Sequence, residues 1–480
     1  MEKSQNIFPF MMNEVVGLSP FVRLRREKAK ITFAYLPHLE LNFGVLSPEQ
    51  AIVLCAFDGK RTIEEIISYV AVLGDTSFEE AQTVVIKVME AVSPDYKIFI
   101  RAVEGLVHEP FTPTDFLIPA NLVNTNTRLD APINMMFQPT QECQTNCRYC
   151  YACRRDMKPS ELLTLEEIKK LAQEAQALGV YQVNLCGGDG FCRTDFVEII
   201  QAFIDRGIIV DVSTKCYIDE NTARRLKEIG LDYIQVSFDT FEEETADFLY
   251  SKPGHFKRIV KTIKNLVEAG LYTRTNSIIT PYNFEHIRGT IEFLADLGIT
   301  EMKFAPSFRS YYKDNLDCMI SLEKKNEYRT YMTGIAREFK EKGITVFHES
   351  MDDFTEMNKD RKEEYWFKTR ARCSAGRCSM VITPDGKVVP CEEAPQDERF
   401  FMGDLKKQSL QEVWNSPEFL AFTFPEQQKF ESQACRECED FIHCVHVMGH
   451  CFRDCLKVYG TILDANPFCP HGKETDNRIY

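Results

Sequence analysis

Three cysteines on one short segment restrict what this chain can fold around. Cys143, Cys147 and Cys150 give the spacing C-x3-C-x2-C, with the aromatic residue Tyr149 before the last cysteine. Three thiolates on one loop can bind three irons of a 4Fe-4S cube, which leaves the fourth iron open to a ligand that is not protein. The segment therefore predicts a loop around an iron–sulfur cluster with one exchangeable position.

Two other kinds of metal site also use clustered cysteines. A structural zinc site could take Cys153 as its fourth ligand, but such sites usually pair two short hooks separated by a longer loop. The bacterial ferredoxin run C-x2-C-x2-C-x3-C-P fits Cys147, Cys150 and Cys153 at its first three positions. Met157 occupies its fourth position, so that run is broken. Both sites remain alternatives on the triplet alone.

Length and charge narrow the class of protein. A chain of 480 residues suggests two to four domains, and the formal net charge of -15 argues against nucleic acid as the main partner. Residues 1–17 lack the basic start and apolar core of an export signal, and no apolar run is long enough to span a bilayer. We therefore predict a cytoplasmic protein with no membrane partner, whose 18 cysteines serve metal ligation rather than disulfides.

Residues from about 18 to 93 have the pattern of a small separate unit. Strand-like alternation over 21–35 and 39–45 surrounds a turn at Pro37, and three helices follow. Strands followed by three short helices indicate a winged-helix-like arrangement. Each helix begins with a predicted capping box: Ser47 with Gln50, Thr62 with Glu65, and Ser77 with Glu80.

The phrases at 46–50 and 57–66 of this unit resemble PqqD-like domains, which recognise peptides and are fused to enzymes that mature ribosomal peptides. The resemblance implies that a leader peptide adds as an extra strand beside Leu39–Val45, in a groove closed by the helix Phe78–Val92. A DNA-binding winged helix and a structural cap are the alternatives. The net acidity disfavours DNA, although the hairpin has a basic set that suits phosphates or an acidic leader: Arg23, Arg25, Arg26, Lys28 and Lys30.

Strands and helices alternate beyond a proline-containing stretch at 94–130, which we interpret as a linker. Helical patterns such as Thr164–Leu178 and Phe256–Ala269 separate the strands. This alternation predicts a parallel sheet with right-handed crossovers, and such barrels place their chemistry at the C-terminal ends of the strands. The strand candidates are Pro132–Thr140, Tyr181–Cys186, Ile208–Thr214, Tyr233–Phe238, Thr273–Thr280 and Glu301–Pro306.

The triplet follows the first of these strands, and Cys186-Gly187-Gly188-Asp189-Gly190 follows the second. Together they resemble the signature of the radical S-adenosylmethionine (SAM) enzymes. The resemblance implies a partial (β/α)6 TIM barrel in which the open iron chelates SAM, and one electron splits SAM into methionine and a 5'-deoxyadenosyl radical. Backbone carbonyls at Gly187 and Gly188 would accept hydrogen bonds from the SAM amino group, and Asp189 stands where the family usually has glutamate.

The same resemblance assigns polar residues at the other strand ends to the cofactor. It implies that Ser213, Thr214 and Lys215, with Ser237 and Asp239, contact the ribose and carboxylate of SAM. A serine at a strand end is also a common turn former. On the adenine side the resemblance implies Asn276, the neighbourhood of Phe304 and Pro306, and Tyr149, whose ring would suit a core position equally well.

Nine cysteines between Cys373 and Cys469 form a second group. The spacing Cys373-x12-Gly386-x4-Cys391, followed by Cys435-x2-Cys438-x5-Cys444, resembles the SPASM extension, which holds two auxiliary 4Fe-4S clusters. A zinc ribbon is an alternative for the Cys435 and Cys438 hook alone. The resemblance assigns Cys373, Cys378, Cys391 and Cys451 to the first auxiliary cluster and Cys435, Cys438, Cys444 and Cys469 to the second. Cys455 is left over, and it could exchange roles with Cys451.

These resemblances predict four regions: a leader-recognition domain at 1–105, a linker at 106–130, a radical SAM barrel at 131–350, and a cysteine-rich SPASM domain at 351–480. They imply an enzyme with SAM and three 4Fe-4S clusters that matures a ribosomally made precursor peptide. A flavodoxin or ferredoxin would serve as the external electron donor.

We predict thioether formation between a substrate cysteine sulfur and a carbon radical, with an auxiliary cluster accepting the surplus electron. Carbon–carbon crosslinking comes next, then epimerisation, which needs a thiol such as Cys318, Cys216 or Cys192 to return a hydrogen atom. Cysteines of this kind are more often inert core residues. A sulfatase-maturase-like protein oxidase without a leader is a further enzymatic alternative, and a peptide-binding iron–sulfur scaffold is the alternative that is not an enzyme.

Overall fold

A computed structural model describes residues 6–7, 9–35, 42–93, 95–102, 107–119, 128–153, 155, 157–349 and 359–472. The chain divides into two compact units, Met1–Asp130 and Ala131–Tyr480. Each unit is described by itself below. The predicted turn at Pro37 and the first residues of the predicted strand Leu39–Val45 lie outside the described residues.

The first unit contains three small antiparallel sheets and three helices. The sheets have the strand orders β1-β2, β7-β3-β8 and β4-β5-β6, so that β6 is an edge strand. The predicted single run 21–35 is wrong in one respect, because it folds into two strands, β4 and β5, that pair as a hairpin. The strands are β1 Asn6–Ile7, β2 Phe10–Met11, β3 Val15–Leu18, β4 Val22–Arg26, β5 Ile31–Tyr35, β6 Asn42–Leu46, β7 Asp58–Thr62 and β8 Phe99–Arg101.

The three helices of this unit are α1 Pro48–Cys55, α2 Ile63–Gly74 and α3 Phe78–Val92. All three predicted capping boxes form, with each cap side chain accepting from the N3 backbone and the N3 side chain accepting from the cap backbone. The buried faces of the helices share one core with the strands, and Leu54, Ile66 and Val85 in that core are fully buried. The winged-helix-like assignment itself stays a prediction.

The second unit is a mixed α/β structure around one sheet, as predicted. The sheet order is β15-β14-β13-β12-β11-β10-β9-β16-β17-β18, and the strands from β9 to β16 run parallel where they pair. The strands are β9 Asn134–Phe137, β10 Gln182–Leu185, β11 Ile209–Thr214, β12 Tyr233–Ser237, β13 Tyr272–Ile279, β14 Glu301–Pro306, β15 Thr345–His348, β16 Ser379–Ile382, β17 Lys387–Val389 and β18 Gly403–Asp404.

All six predicted barrel strands are present as β9 to β14, and β15 adds a seventh parallel strand that the prediction lacked. The cysteine-rich region is continuous with this sheet, because β16 pairs in parallel with β9 and carries the antiparallel strands β17 and β18. The helices are α4 Leu165–Ala177, α5 Phe196–Ile204, α6 Glu220–Glu228, α7 Glu243–Tyr250, α8 His255–Glu268, α9 Ile287–Asp296, α10 Leu322–Glu341, α11 Lys359–Glu364, α12 Leu410–Trp414, α13 Pro417–Thr423, α14 Gln433–Arg436 and α15 Phe452–Tyr459, with π-helical segments at Tyr365–Thr369 and Ile442–Gly449.

Side chains alternate along the strands between a core under the helices and the concave side of the sheet. In β12, Ile234 and Val236 are fully buried, whereas Gln235 and Ser237, which alternate with them, are partly exposed. Burying each aliphatic side chain contributes about 1.5–3 kcal/mol. The polar side chains of β12 therefore lie on the side of the sheet away from this core, where a ligand can reach them. Within the described residues, no helix combines the length and the apolarity that crossing a bilayer requires.

Candidate active site

A cavity of about 220 Å³ lies where strands β9 to β14 end. Every one of these strands, or the loop directly after it, contributes to the wall, as expected for the C-terminal edge of a parallel sheet. The lining residues are Cys143, Thr145, Cys147, Tyr149, Cys150, Tyr151, Gly187, Gly188, Asp189, Ser213, Thr214, Lys215, Gln235, Ser237, Asn276, Ile278, Ser307 and Phe308.

The loop of the cysteine triplet brings its three thiols to this one cavity. The Thr145 hydroxyl contacts the sulfur of Cys143 at 3.3 Å and that of Cys147 at 3.4 Å. The backbone of the loop is tied to the end of α7, because the Asn146 N–H donates to Tyr250 O and the Arg148 N–H to Leu249 O. Burial raises the pKa of the Cys143 thiol, so bound metal would be needed to hold it as a thiolate.

The Gly187–Gly188 pair packs against the segment that precedes the triplet. The Gly188 N–H donates to Thr140 O and the Asp189 N–H donates to Glu142 O, so the two loops are joined by their backbones. A Cβ at position 188 would stand 2.1 Å from Glu142 O, and Gly187 has a φ of +110°. Both positions therefore require glycine, because no larger residue allows the loops to approach this closely.

The Asp189 carboxylate is buried and joins the ends of β10 and β11. It accepts hydrogen bonds from Thr214 Oγ1 at 2.9 Å, from the Lys215 N–H at 2.6 Å, and from the N–H groups of Cys216 and Phe191. Burial raises the pKa of this carboxyl group, and the hydrogen bonds oppose that rise. The side chain at the position of the family's glutamate thus orders the loops of the site.

Lys215 lies in a buried chain of polar groups below the triplet. Its ammonium is 3.0 Å from Asp239 Oδ2, lies 3.7 Å from the Cys147 sulfur and donates to the Tyr149 hydroxyl, which in turn donates to Asp239. Burial opposes the charged form of Lys215, but the charges of Asp239 and Cys147 outweigh burial and raise its pKa. The hydrogen bonds of these polar groups hold both the hydroxyl and the ring of Tyr149 in position.

The remaining predicted cofactor residues are placed side by side by the strand register. Ser237 in β12 is the partner of Asn276 in β13, and Ser213 in β11 is the partner of Gln235 in β12. Asn276 Oδ1 is buried and accepts no hydrogen bond from the part of the chain that the structure describes. It is thus available to a donor on a ligand in the cavity.

The sixth strand contributes to the cavity wall through residues other than those predicted. Phe304 is fully buried, and Phe304 and Pro306 are absent from the cavity wall, which Ser307 and Phe308 form just after β14. Sequence reasoning also missed Thr145, Tyr151, Gln235 and Ile278. Gln235 and Ile278 had a usable signal, because they lie two residues from Ser237 and Asn276 on the same strands and so share their face.

These residues fit an iron–sulfur cluster with bound SAM. The triplet supplies three soft sulfur ligands, the glycine pair forms a cradle that a Cβ would fill, and Asn276 Oδ1 is an acceptor without a donor among the described residues. Among those residues no group of three or more His, Cys, Asp or Glu side chains converges on a single ion. In a cube, by contrast, each thiolate binds a different iron.

Electrostatic interactions connect the C-terminal cysteines within two sets, and Cys455 interacts with one member of each set, Cys451 and Cys435. Burial raises the pKa of the Cys435 thiol to about 12, and the charges of Cys469, Cys444 and Cys438 add to the rise. The Cys373 charge likewise adds to the burial that raises the pKa of Cys391 and of Cys451. The four-cysteine set proposed for the second auxiliary cluster, and three members of the first, are therefore electrostatic neighbours.

Cys455 has two hydrogen-bond partners in the protein. Its thiol is fully buried, 3.4 Å from Asp464 O and 3.5 Å from His450 Nε2. Cys378, assigned to the first auxiliary cluster, is also buried, and its sulfur lies 3.8 Å from Ser374 O.

The thiols considered for hydrogen-atom return are not on the cavity wall. Cys318 is fully buried, and burial raises its pKa to about 11. Cys192 and Cys216 lie with their sulfurs 3.8 Å apart. Cys153, which a structural zinc site could take as its fourth ligand, is also buried and lies outside the cavity wall.

Comparison with protein families matches two parts of this chain. The radical SAM superfamily model matches residues 137–294, which include the triplet and strands β10 to β13. The SPASM model, described as an iron–sulfur cluster-binding domain, matches residues 373–439. The two matched regions coincide with the cavity and with most of the C-terminal cysteines.

Individual proteins with related sequence or structure include peptide-modifying enzymes. A PqqA peptide cyclase of Rhizobium meliloti is 26% identical over 359 residues, which cover 73% of this chain and 90% of that protein. The crystal structure of Streptococcus suis SuiB bound to S-adenosylmethionine aligns over 96% of this chain and 99% of SuiB, with a TM-score of 0.65 and 16% identity. SuiB bound to its precursor peptide SuiA aligns with a TM-score of 0.62 and 16% identity. These structural alignments indicate a shared fold.

Gly188→Ala tests the close approach of the two loops. The added methyl group would meet backbone atoms of Gln141 and Glu142, so we expect the triplet loop to be displaced and its iron to be lost. Overpacking of this kind typically costs about 1–3 kcal/mol. Iron content after anaerobic reconstitution is the measurement, with Gly334→Ala as control because a Cβ there meets no atom within 4 Å. Full iron content in Gly188→Ala would contradict the expectation.

Lys215→Met tests the buried ion pair. Asp239 is fully buried, so loss of its cation leaves an uncompensated charge, and we expect destabilisation by about 3–5 kcal/mol. Lys215→Met combined with Asp239→Asn removes both charges and should recover most of that loss. Urea denaturation under reducing conditions measures both variants. A double variant no more stable than the single one would show that the charges are not coupled.

Proposed function

From the premise that this chain is an enzyme built on a radical SAM domain followed by a SPASM domain, we propose that it matures a ribosomally synthesised precursor peptide. The observation that carries the proposal is the single cavity where the triplet thiols meet the glycine pair and the polar strand ends. When bound there, the cluster and SAM supply a radical that abstracts hydrogen from unactivated carbon. The relatives named above as a peptide cyclase and as a complex with a precursor peptide support a peptide substrate.

The residues of the cavity have separate tasks in this proposal. The triplet thiolates would bind three irons, and the Gly187–Gly188 backbone would accept hydrogen bonds from the SAM amino group. Lys215 balances negative charge near Cys147, while Asp239 and Tyr149 hold Lys215 in place. Ser213, Ser237, Gln235 and Asn276 orient the polar parts of SAM from one row of strand ends. Holding SAM in one orientation keeps its reacting atoms in the position that the reaction requires.

We propose ring closure as the reaction, with a thioether as the bond. A substrate carbon loses a hydrogen atom, a substrate cysteine loses its thiol proton, the carbon–sulfur bond forms, and one electron leaves to an auxiliary cluster. Carbon–carbon closure is the second candidate, and the relatives named peptide cyclases are consistent with either bond. Both reactions remove two hydrogen atoms from the peptide.

The auxiliary clusters and domain bounds belong to the same proposal. Two clusters held by the C-terminal cysteines, together with the triplet cluster, would give three in all. Cys373, Cys378, Cys391 and Cys451 would bind one, and Cys435, Cys438, Cys444 and Cys469 the other. We assign Cys455 to the protein interior on the basis of its contacts with His450 and Asp464. The domain bounds at 105, 130 and 350, and a cytoplasmic location, are part of the proposal.

We propose that the first unit binds the leader of the precursor along β6. This strand pairs with β5 on one side and ends its sheet on the other, so that its outer backbone groups can pair with an added strand. Phe43 is 44% exposed and Val45 is 38% exposed, which gives this edge apolar side chains for recognition. Exposed apolar side chains on an edge strand are otherwise a liability for aggregation.

Reconstituted enzyme, SAM, a reductant and the precursor peptide test the proposed reaction. The precursor is identified as a short reading frame beside that of the enzyme. We expect release of 5'-deoxyadenosine and a product lighter than the substrate by two hydrogen atoms per crosslink. Blocking the substrate thiols with an alkylating reagent should abolish a thioether and leave a carbon–carbon link intact. A protein that binds iron but never cleaves SAM under reducing conditions would exclude the enzyme.

Phe43→Asp tests leader binding at the edge of β6. Burial of a phenylalanine contributes about 1.5–3 kcal/mol, so the Kd for the leader should rise roughly tenfold or more. Val72→Asp is the matched control, because Val72 is 81% exposed and lies on α2 away from the sheet edge. Fluorescence anisotropy with a labelled leader peptide measures both variants. Equal leader affinity in Phe43→Asp and Val72→Asp would remove β6 from the binding site.

A further inference from the structure

Two cysteines that we assign to no cluster lie in contact beside the cavity. The sulfurs of Cys192 and Cys216 are 3.8 Å apart, and the two residues belong to the loops after β10 and β11. We infer that they form an oxidisable dithiol, which closes to a disulfide by exchange with a small-molecule disulfide and thereby weakens SAM binding. The part of this inference that concerns SAM rests on the proposed function, whereas disulfide formation does not.

The backbone holds both cysteines against the same residue. The Cys192 N–H donates to Asp189 O at 2.9 Å, and the Cys216 N–H donates to Asp189 Oδ2 at 3.0 Å. Thr262 Oγ1 also donates to Cys216 O at 3.2 Å. In a disulfide the two sulfurs are about 2.0 Å apart, roughly half of their present separation. Two thiols already in contact need only a short movement to reach that distance.

The two thiols differ in exposure and in acidity. Cys192 is partly exposed, whereas Cys216 is 1% exposed. The hydrogen bond with Cys216 lowers the pKa of Cys192, although burial and the charges of Asp189 and Glu142 oppose this shift. The same hydrogen bond, together with burial, raises the pKa of Cys216. Cys192 is therefore the thiol that attacks first, and Cys216 is the buried partner that resolves the mixed disulfide.

The other cysteines outside the proposed clusters lack this arrangement. Cys55, Cys153, Cys318 and Cys455 are buried, so a small disulfide in solution has poor access to them. Cys186 is partly exposed, but burial and the charges of neighbouring carboxylates raise the pKa of its thiol. Exchange needs a thiolate that the small disulfide can reach. We therefore place the first exchange step at Cys192.

The proposed oxidation consists of two thiol–disulfide exchanges. In the first, the Cys192 thiolate attacks one sulfur of the small disulfide, whose S–S bond breaks, and one small thiol leaves. In the second, Cys216 loses its proton and attacks the Cys192 sulfur, which displaces the second small thiol. The protein loses two hydrogen atoms with their electrons, and the two small thiols carry them away. Excess small thiol reverses both steps and restores the dithiol.

The dithiol adjoins the triplet loop and the glycine cradle. Cys192 stands four residues after Gly188, and Tyr217 directly follows Cys216. Gln144 in the triplet loop contacts both cysteine loops, because its backbone hydrogen-bonds to the Cys192 sulfur and its side chain accepts from the Tyr217 N–H at 3.4 Å. Closure moves the Cys192 sulfur towards Cys216 and makes it a weaker acceptor. We therefore expect the triplet loop to lose one contact when the disulfide forms.

The test exposes anaerobically reconstituted holoenzyme to bis(2-hydroxyethyl) disulfide. This probe is neutral, because the charges of Asp189 and Glu142 would repel an anionic disulfide. After alkylation of the remaining thiols, mass spectrometry of unreduced peptides should find the Cys192 and Cys216 peptides joined. Their joint mass should be lower by two hydrogen atoms. Cys55→Ala removes a buried cysteine of the first unit and, as the control, should give the same joined peptides.

Two variants separate the roles of the two thiols. In Cys216→Ala the mixed disulfide at Cys192 has no thiol to resolve it, so it should accumulate. In Cys192→Ala the buried Cys216 should stay reduced. The reverse pattern would overturn the assigned roles. Absence of the joined peptides at every ratio of probe to 2-mercaptoethanol would overturn the dithiol itself.

SAM binding measures the consequence for the cavity. By equilibrium dialysis, the Kd for SAM should rise roughly two- to tenfold on oxidation, as for the loss of one hydrogen bond, and should return with excess 2-mercaptoethanol. The probe should leave the Kd of Cys192→Ala unchanged. An unchanged Kd in the oxidised, unaltered enzyme would overturn the link to SAM binding. Failure of the reduced, unaltered enzyme to bind SAM would contradict the proposed function and leave disulfide formation standing.

Discussion

The buried carboxylate of Asp189 is the interaction on which the site depends. It accepts four hydrogen bonds from Phe191, Thr214, Lys215 and Cys216, and it thereby fixes the loop after β10 to the loop after β11. An unsatisfied buried carboxylate would be costly, so the two loops have to keep this arrangement to preserve their donors. Lys215 can face Asp239 and Cys147 only because its backbone is held in this way. The order of the cavity thus depends on hydrogen bonds among residues of its own wall.

The strands and their ends followed closely from the sequence, and the reason is local. Parallel strands buried under helices have a strong periodic pattern, so β9 to β14 matched their predicted positions within a few residues. Capping boxes are defined within four residues, and all three in the first unit formed. The split of 21–35 into β4 and β5 was missed because the turn at 27–30 contains neither glycine nor proline. A turn built from Glu27, Lys28, Ala29 and Lys30 has no sequence signal of the usual kind.

The pairing of side chains inside the cavity could not be read from the sequence. The resemblance assigned Lys215 and Asp239 to the ligand, whereas in the structure they bind each other and Tyr149. Partners 24 residues apart, as these two are, meet only through the sheet register, which no local pattern encodes. The same limit explains the wrong prediction for Phe304. Its place near the end of the sixth strand suggested contact with the ligand, but its side chain faces the core. Strand periodicity predicts a face only once one residue of that face is known.

Burial, partial or full, is shared by the C-terminal cysteines that we propose as cluster ligands and by Cys455, which we do not. Cys435 and Cys391 have thiols whose pKa burial raises to about 12, with neighbouring cysteines adding to the effect. Thiols that converge in the interior can bind a metal, because the metal replaces their protons when it binds. Cys455 is buried too, but its thiol is within reach of Asp464 O and His450, and so its polar contacts are satisfied by protein. The contacts of the Cys455 sulfur are the reason why we propose Cys451 rather than Cys455 as the cluster ligand.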